Sequence, residues 1–148
     1  MKKSLLPGLA SLTAALFFAG TLTASADDSF TVQTINGVIY HVYSDHATVF
    51  DIDHTRANVP ETVNILAEAG GQPVTVIEGD AFNYQHFVRT QNHEPFKENV
   101  ANIKHVNIPR TVKSIGGWCF FMAPKLETVT FAEGSQLQSI AQSAFEAC

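Results

Sequence analysis

The 148-residue sequence is poor in charged residues, in basic residues above all, and in cysteine. Only 16% of its residues are charged, and the nine Lys and Arg are outnumbered by fourteen Asp and Glu, which gives a formal net charge of −5. A nucleic-acid-binding domain needs a basic face, so this balance argues against nucleic acid as a partner. The sequence also has no Asn-x-Ser/Thr site, no glycine-rich phosphate loop and no marked Ser-His-Asp or Cys-His arrangement. A hydrophobic content of 45% predicts one folded domain.

Long apolar runs are also scarce. The only one of membrane length in the sequence lies at the N-terminus. Residues 1–26 start with Lys2 and Lys3, continue through an uncharged apolar stretch, and end in Ala24-Ser25-Ala26. This pattern predicts a secretory signal peptide cleaved after Ala26, rather than a retained membrane anchor. We therefore expect a secreted, extracellular or cell-surface protein that is not inserted in a membrane after cleavage.

Residues 27–58 carry the signal of an N-terminal β-hairpin cap. Two stretches rich in β-branched and aromatic residues, Phe30–Ile35 and Val38–Tyr43, flank Asn36-Gly37. Asn-Gly is the preferred pair of a two-residue type I′ turn. Thr48–Ile52 predicts a third strand. A stack of repeats needs a cover over its first apolar face, and these strands are expected to supply it.

From residue 59 to residue 148 the chain repeats itself about three times. Val106 and Val129 are 23 residues apart, and Val112 and Leu137 are 25 apart. In three places an Ile precedes a Phe by five residues, with a small residue just before the Phe. The pairs are Ile77/Phe82, Ile115/Phe120 and Ile140/Phe145. We expect the three phenylalanines to stack into one apolar column. Upstream, Val59–Val63 (VPETV) is predicted to correspond to Ile108–Val112 (IPRTV).

The repeat resembles that of the BspA-like leucine-rich repeat family, which reads L-x-x-V-x-I-P-x-x-V-x-x-I-G-x-x-A-F-x-x-C-x-x-L. The residues that carry the resemblance are Ile103, Val106, Ile108, Pro109, Val112, Ile115, Gly116, Phe120, Leu126, Val129, Phe131, Leu137, Ile140, Ala144, Phe145 and Cys148. The resemblance implies a β-rich solenoid of short parallel strands with turns and short helices. It also implies a non-catalytic protein that binds other proteins, of a host or of other cells, and that uses no cofactor. The alternative is a purely structural piece of a longer repeat array.

Alternation along the repeat strands separates buried from exposed positions. Val106 and Ile108, and likewise Val129 and Phe131, are expected to point inward. The residues between and before them form the predicted protein-binding face: His105, Asn107, Thr128 and Thr130. An inserted loop at about residues 83–102 offers a competing contact site with Arg89, His93 and Phe96. His86, His93 and Glu94 in this loop lack a spacing typical of metal ligands, so no metal site is predicted.

Two further motifs invite a chemical interpretation. Asp51 and Asp53 lie in a DxDxT motif that is similar to that of haloacid-dehalogenase-type phosphatases, where the first Asp is the nucleophile and the second the general acid. Such enzymes need a further acidic pair late in the chain for Mg²⁺, but the last Asp here is Asp80 and no acidic pair follows a candidate Lys, so we expect an exposed turn after a strand. Cys119 and Cys148 occupy different slots of successive repeats, which favours two small buried residues over a disulfide.

Overall fold

The computed structural model describes residues 29–53, 60–84 and 101–148. Ten strands are found in these ranges. They are β1 (Thr31–Ile35), β2 (Val38–Val42), β3 (Ala47–Ile52), β4 (Thr62–Asn64), β5 (Glu68–Ala69), β6 (Gln72–Ile77), β7 (His105–Ile108), β8 (Ser114–Ile115), β9 (Thr128–Phe131) and β10 (Ser139–Ile140). The predicted signal peptide and the central part of the inserted loop lie outside the described residues.

The predicted hairpin is confirmed. Strands β1 and β2 pair antiparallel, with Ile35 opposite Val38 next to the turn. The turn residues Asn36 and Gly37 have φ angles of 53° and 85°. Both values are in the left-handed region that a type I′ turn requires, which is why Asn-Gly is favoured there. Strand β3 then pairs antiparallel with β2, beginning one residue before its predicted start.

The strands form two sheets. In the seven-stranded sheet the order is β1-β2-β3-β6-β8-β10, with β5 paired to β6, and in the three-stranded sheet it is β4-β7-β9. From β3 onward, successive strands of the main path run parallel, as do the three of the smaller sheet. Each of three sequence repeats therefore contributes to both sheets, and repeat 1 gives the larger sheet both β5 and β6. The repeats are repeat 1 (residues 62–84), repeat 2 (105–122) and repeat 3 (128–147).

The predicted register of repeats 2 and 3 is confirmed, and that of repeat 1 is wrong at its start. Val129 lies opposite Val106, and Ile140 lies opposite Ile115. Val63, however, lies opposite Val106 and not at the position of Val112. Val63 and Ile65 are buried, whereas Asn64 between them is exposed. This alternation fixes the strand, because a shift of one residue would expose both apolar side chains.

The predicted column of phenylalanines is also present. The ring of Phe120 lies between those of Phe82 and Phe145, with centroid separations of 4.9 Å and 5.0 Å and nearly parallel planes. Phe82 and Phe120 are each only 1% exposed. The column extends through all three repeats, so it ties each repeat to the next by apolar burial.

Backbone hydrogen bonds join the turns that carry these rings. At alternate positions, N–H groups of one repeat donate to carbonyl groups of the next repeat. The donor–acceptor pairs are Asp80–Gly117, Phe82–Cys119, Tyr84–Phe121, Trp118–Gln142, Phe120–Ala144 and Met122–Glu146, at 2.8 to 3.3 Å. Backbone hydrogen bonds therefore hold the irregular parts of the repeat in register, as they do its strands.

Burial differs between the two ends of the repeats. At the N-terminal end, Tyr40 of β2 is fully buried and its hydroxyl accepts a hydrogen bond from the Leu66 N–H at 3.1 Å. At the other end, Val129 is only half-buried and Phe131 is 38% exposed, so their predicted inward burial is incomplete. The reason is that β9 has a neighbouring strand on one side only within the described residues.

The two cysteines are not bonded to each other. Cys119 is buried as predicted, and burial raises the pKa of its thiol, so it stays protonated and unreactive. Cys148 was also expected to be buried, and this is wrong: it is exposed. Its Sγ still donates to the Phe120 carbonyl at 3.0 Å.

Candidate functional site

The three-stranded sheet presents a polar face. Its register puts His105 opposite Thr128, and Asn107 opposite Thr130. The structure therefore brings together the four residues that the sequence singled out. Their side chains alternate with the buried Val106 and Ile108, so they point away from the core.

Strand β4 widens this face by two residues that the sequence analysis missed. Thr62 lies opposite His105, and Asn64 lies opposite Asn107. They were missed because the VPETV segment was matched to IPRTV, which assigned Thr62 to a later position of the repeat. The alternation of Val63, Asn64 and Ile65 was the signal that would have found them. The polar face is defined from here on as Thr62, Asn64, His105, Asn107, Thr128 and Thr130.

Side chains of the polar face are hydrogen-bonded across the strands. The Asn107 Nδ2 donates to the Asn64 Oδ1 at 2.7 Å. The His105 Nδ1 and the Thr128 Oγ1 are 2.8 Å apart. Parallel strands in register stack equivalent side chains on one another, which is why these short polar groups meet. The bonds fix side chains that would otherwise be mobile, so a partner would lose little side-chain entropy on contact.

A charged border runs along one side of the polar face, just before the strands begin. The Lys104 Nζ donates to the Glu61 Oε1 at 3.0 Å, and both side chains are substantially exposed. Backbone hydrogen bonds join the three residues of this border. The Lys104 N–H donates to the Glu61 carbonyl, and the Glu127 N–H donates to the Lys104 carbonyl. An exposed ion pair of this kind adds about 0–1 kcal/mol to stability.

Two other candidate sites fare differently. Arg89, His93 and Phe96 of the inserted loop lie outside the described residues, as do His86 and Glu94. Asp51 and Asp53 are described, but Asp51 lies within β3 and not in a turn, which corrects that expectation. The Asp51 Oδ1 accepts the Ile52 N–H at 2.7 Å, and the Asp53 N–H donates to the Gly37 carbonyl. Within the three described ranges, no group of three or more His, Cys, Asp or Glu is placed to hold a metal ion.

Comparison with known proteins defines the class as a β-rich leucine-rich-repeat fold. A leucine-rich cell surface protein of Faecalibacterium prausnitzii A2-165 superposes with a TM-score of 0.57 at 23% identity, over 83% of this chain and 30% of that one. The leucine-rich repeat protein of T. pallidum gives a TM-score of 0.53 at 18% identity, over 80% and 43%. The chain thus spans less than half the length of either structure.

A family model matches part of the chain, and it is that of the family which the repeat resembles. Residues 89–148 match the model described as "BspA type Leucine rich repeat region (6 copies)". No curated protein matches the chain at a significant level. In the part of the chain that the structure describes, no helix is both long enough and apolar enough to span a membrane.

Proposed function

We propose that this chain is an exported, non-catalytic leucine-rich-repeat protein that binds a protein partner through the polar face. The observation that carries this proposal is the continuity of the face across three repeats, with its side chains hydrogen-bonded to one another. Leucine-rich repeat domains generally mediate protein–protein contact, and extended repeat surfaces suit that task. Partners on a host or on neighbouring cells fit a chain whose fold is similar to that of a cell surface protein of F. prausnitzii.

Binding through one such face should be weak. Interface hot spots are enriched in Trp, Tyr and Arg. The polar face has none of these, and its Asn64, Asn107, His105 and Thr128 already hydrogen-bond to one another. We therefore expect appreciable affinity only where several faces act together, because linked sites raise the effective concentration.

Export depends on residues 1–26, which act as a Sec-type signal peptide in this proposal. The mature chain then begins at Asp27. Mass spectrometry of material recovered from the medium or the cell surface should give that N-terminus. A chain that retained Met1 in an exported, soluble form would contradict cleavage after Ala26.

The alternative function is structural: a section of a longer solenoid, with residues 27–58 as its N-terminal cap. Its support is that the seven-stranded sheet continues past the repeats through β3, which pairs parallel with β6 of repeat 1. A structural section would bind no partner through the polar face, so the experiment below separates the two functions.

The polar face can be tested by a charge change with a matched control. His105, Asn107, Thr128 and Thr130 are replaced together by Lys, and the control carries four Lys at exposed positions near β10. The control positions are Gln136, Gln138, Ser139 and Gln142. A third variant lacks residues 85–100 of the loop. Binding to intact host cells and to a panel of purified extracellular proteins is measured by flow cytometry and interferometry.

We expect the face variant to lose binding by at least about tenfold, since charges are placed against a polar contact, and the other two variants to keep it. Thermal unfolding checks that all variants are folded. If binding survives the face variant and disappears on loop deletion, the site is the loop with Arg89, His93 and Phe96. If neither the parent nor any folded variant binds, the alternative function, a structural section of a longer solenoid, is favoured.

Absence of catalysis is part of the proposal and has its own assay. With Mg²⁺ and a generic phosphomonoester, the purified chain should show no turnover above background, because no carboxylate cluster joins Asp51 in the described residues. Turnover that Asp51→Asn abolished would overturn the non-enzymatic assignment.

A further inference from the structure

Strand β1 is a long, unprotected edge of the seven-stranded sheet. It pairs in unbroken register with β2, and within the described ranges it has no partner on its other side. Native sheets usually protect such edges with charges, proline or bulges, because unpaired N–H and C=O groups invite another strand. Thr31–Ile35 (TVQTI) has none of these features. The opposite edge, β10, is only two residues long.

An apolar patch lies next to this edge on the outward face of the sheet. Val32 is 60% exposed, Phe30 45% and Phe50 42%. The ring of His41 is stacked between those of Phe30 and Phe50, with both centroid separations at 4.0 Å. The stack holds the two exposed rings in place, so covering them would cost little side-chain entropy. Phe30 and Val32 lie at the edge itself, so a strand added to β1 would contact their side chains.

Charge decides which strand suits this surface. The chain has a net charge of −5, yet from Ser29 to Ser44 it contains no Asp, Glu, Lys or Arg. Two copies of an acidic protein repel each other over most of their surfaces, and the hairpin is where they can touch without like-charge contact. In the smaller sheet, edge strand β9 lies between Glu127 and Glu133 and edge strand β4 follows Glu61, so neither offers this. The surface around β1 can therefore contact the same surface of a second copy without bringing like charges together.

We propose that two copies of this chain associate through β1, antiparallel about a two-fold axis at Gln33. Thr31 then pairs with Ile35 of the second copy, and Val32 with Thr34 of the second copy. This register pairs all five residues and keeps the exposed Val32 and Thr34 on the outward face of both copies. An isologous contact of this type closes on itself, so it gives a dimer and not a fibre.

The dimer joins two seven-stranded sheets edge to edge and carries two polar faces. It thus offers the multiple attachment that a weak face would need, although the association does not depend on what that face binds. A contact of one strand and a few side chains is at the small end of specific interfaces, so we expect a dissociation constant of micromolar order.

The proposal is tested by analytical ultracentrifugation of the protein purified in the form that cells produce. Its concentration is varied from micromolar to submillimolar. Val32→Lys should weaken association at least about tenfold, because a Lys on an edge strand opposes the addition of another strand and the dimer would hold two such charges close together. Gln138→Lys is the control: it adds the same charge at an exposed position beside β10, at the far end of the same sheet. It should leave association unchanged.

Salt separates this contact from association through the charged border of Glu61 and Lys104. Added NaCl screens the repulsion between two acidic copies, so the β1 dimer should hold or tighten, whereas contact through ion pairs would weaken. A parent chain that stays monomeric throughout the concentration range overturns the proposal. So does association that Val32→Lys and Gln138→Lys change equally.

A complementation experiment tests the register itself. Thr34→Glu should also give monomers, for the same reason as Val32→Lys. In a mixture of the two variants, Lys at position 32 of one copy faces Glu at position 34 of the other, and opposite charges directly across strands attract. We expect a one-to-one heterodimer from two monomeric variants. Because each variant alone must keep the thermal unfolding curve of the parent, failure to recover the heterodimer would rule out this register.

Discussion

Replacing Phe120 by Ala is expected to lower the free energy of unfolding by about 3–5 kcal/mol. The ring is 1% exposed and has an aromatic neighbour about 5 Å away on both sides, Phe82 and Phe145. Truncation removes the transfer free energy of the ring and leaves a cavity. That cavity cannot close readily, because backbone hydrogen bonds on both sides of Phe120 hold the turns at a fixed spacing. Urea or thermal unfolding measures the loss.

A matched control for this change is Phe131→Ala. Phe131 is also an aromatic residue of a repeat, but it is 38% exposed at the end of β9. Its truncation should cost clearly less, since more than a third of the residue stays exposed after folding and an exposed position leaves no closed cavity. A loss below about 1 kcal/mol for Phe120→Ala would show that the phenylalanine column does not hold the repeats together.

The spacing of apolar residues along the sequence predicted those parts of the fold in which burial permits only apolar side chains. The Ile-to-Phe interval recurs in all three repeats, because Ile77, Ile115 and Ile140 lie on neighbouring parallel strands and Phe residues stack behind them. Asn36-Gly37 predicted the hairpin for a comparable reason: only a few residues tolerate two successive positive φ angles. In both cases one physical requirement permits few residue types.

Backbone conformations that several residue types can adopt were not predictable from the sequence. Asp80, Trp118 and Ser143 occupy equivalent turns and all have positive φ, of 64°, 52° and 58°. None is glycine, so residue type does not reveal a shared left-handed position. In each turn the carbonyl of this residue accepts a hydrogen bond from the N–H three residues later, and Asp80 and Trp118 also donate to the next repeat.

The site was half predictable for a related reason. His105, Asn107, Thr128 and Thr130 followed from alternation in two well-marked repeats. Thr62 and Asn64 did not, because VPETV matches IPRTV in residue type while the strand itself lies a few residues later. The alternation of apolar and polar residues at Val63, Asn64 and Ile65 indicates the strand better than the similarity of VPETV to IPRTV does. The width of the polar face, and with it the proposal of a binding surface over three repeats, came from strand register alone.

Gly116→Ala is expected to destabilise the chain by about 3 kcal/mol, the upper end of what overpacking costs. A Cβ at Gly116 would lie 2.2 Å from the Gly79 backbone nitrogen and 2.7 Å from the Glu78 carbonyl carbon. Both atoms belong to the backbone of repeat 1, so no side chain can rotate away. Relief would require the two repeats to separate where the Gly116 N–H donates to the Ile77 carbonyl at 2.8 Å.

Three glycines provide a graded test of this explanation, because none of them has a positive φ and only space is at issue. A Cβ at Gly79 would lie 3.0 Å from the Gly117 oxygen, and one at Gly117 would lie 3.2 Å from the Gln142 oxygen. Chemical unfolding should therefore rank the Ala variants as Gly116 first, then Gly79, then Gly117. Repeat 3 has Ala141 in the slot of Gly116, and Ala141→Gly should cost only about 0.5–1 kcal/mol through backbone entropy. Equal losses at Gly116 and Gly117 would mean that backbone contact between repeats 1 and 2 does not set the choice of glycine.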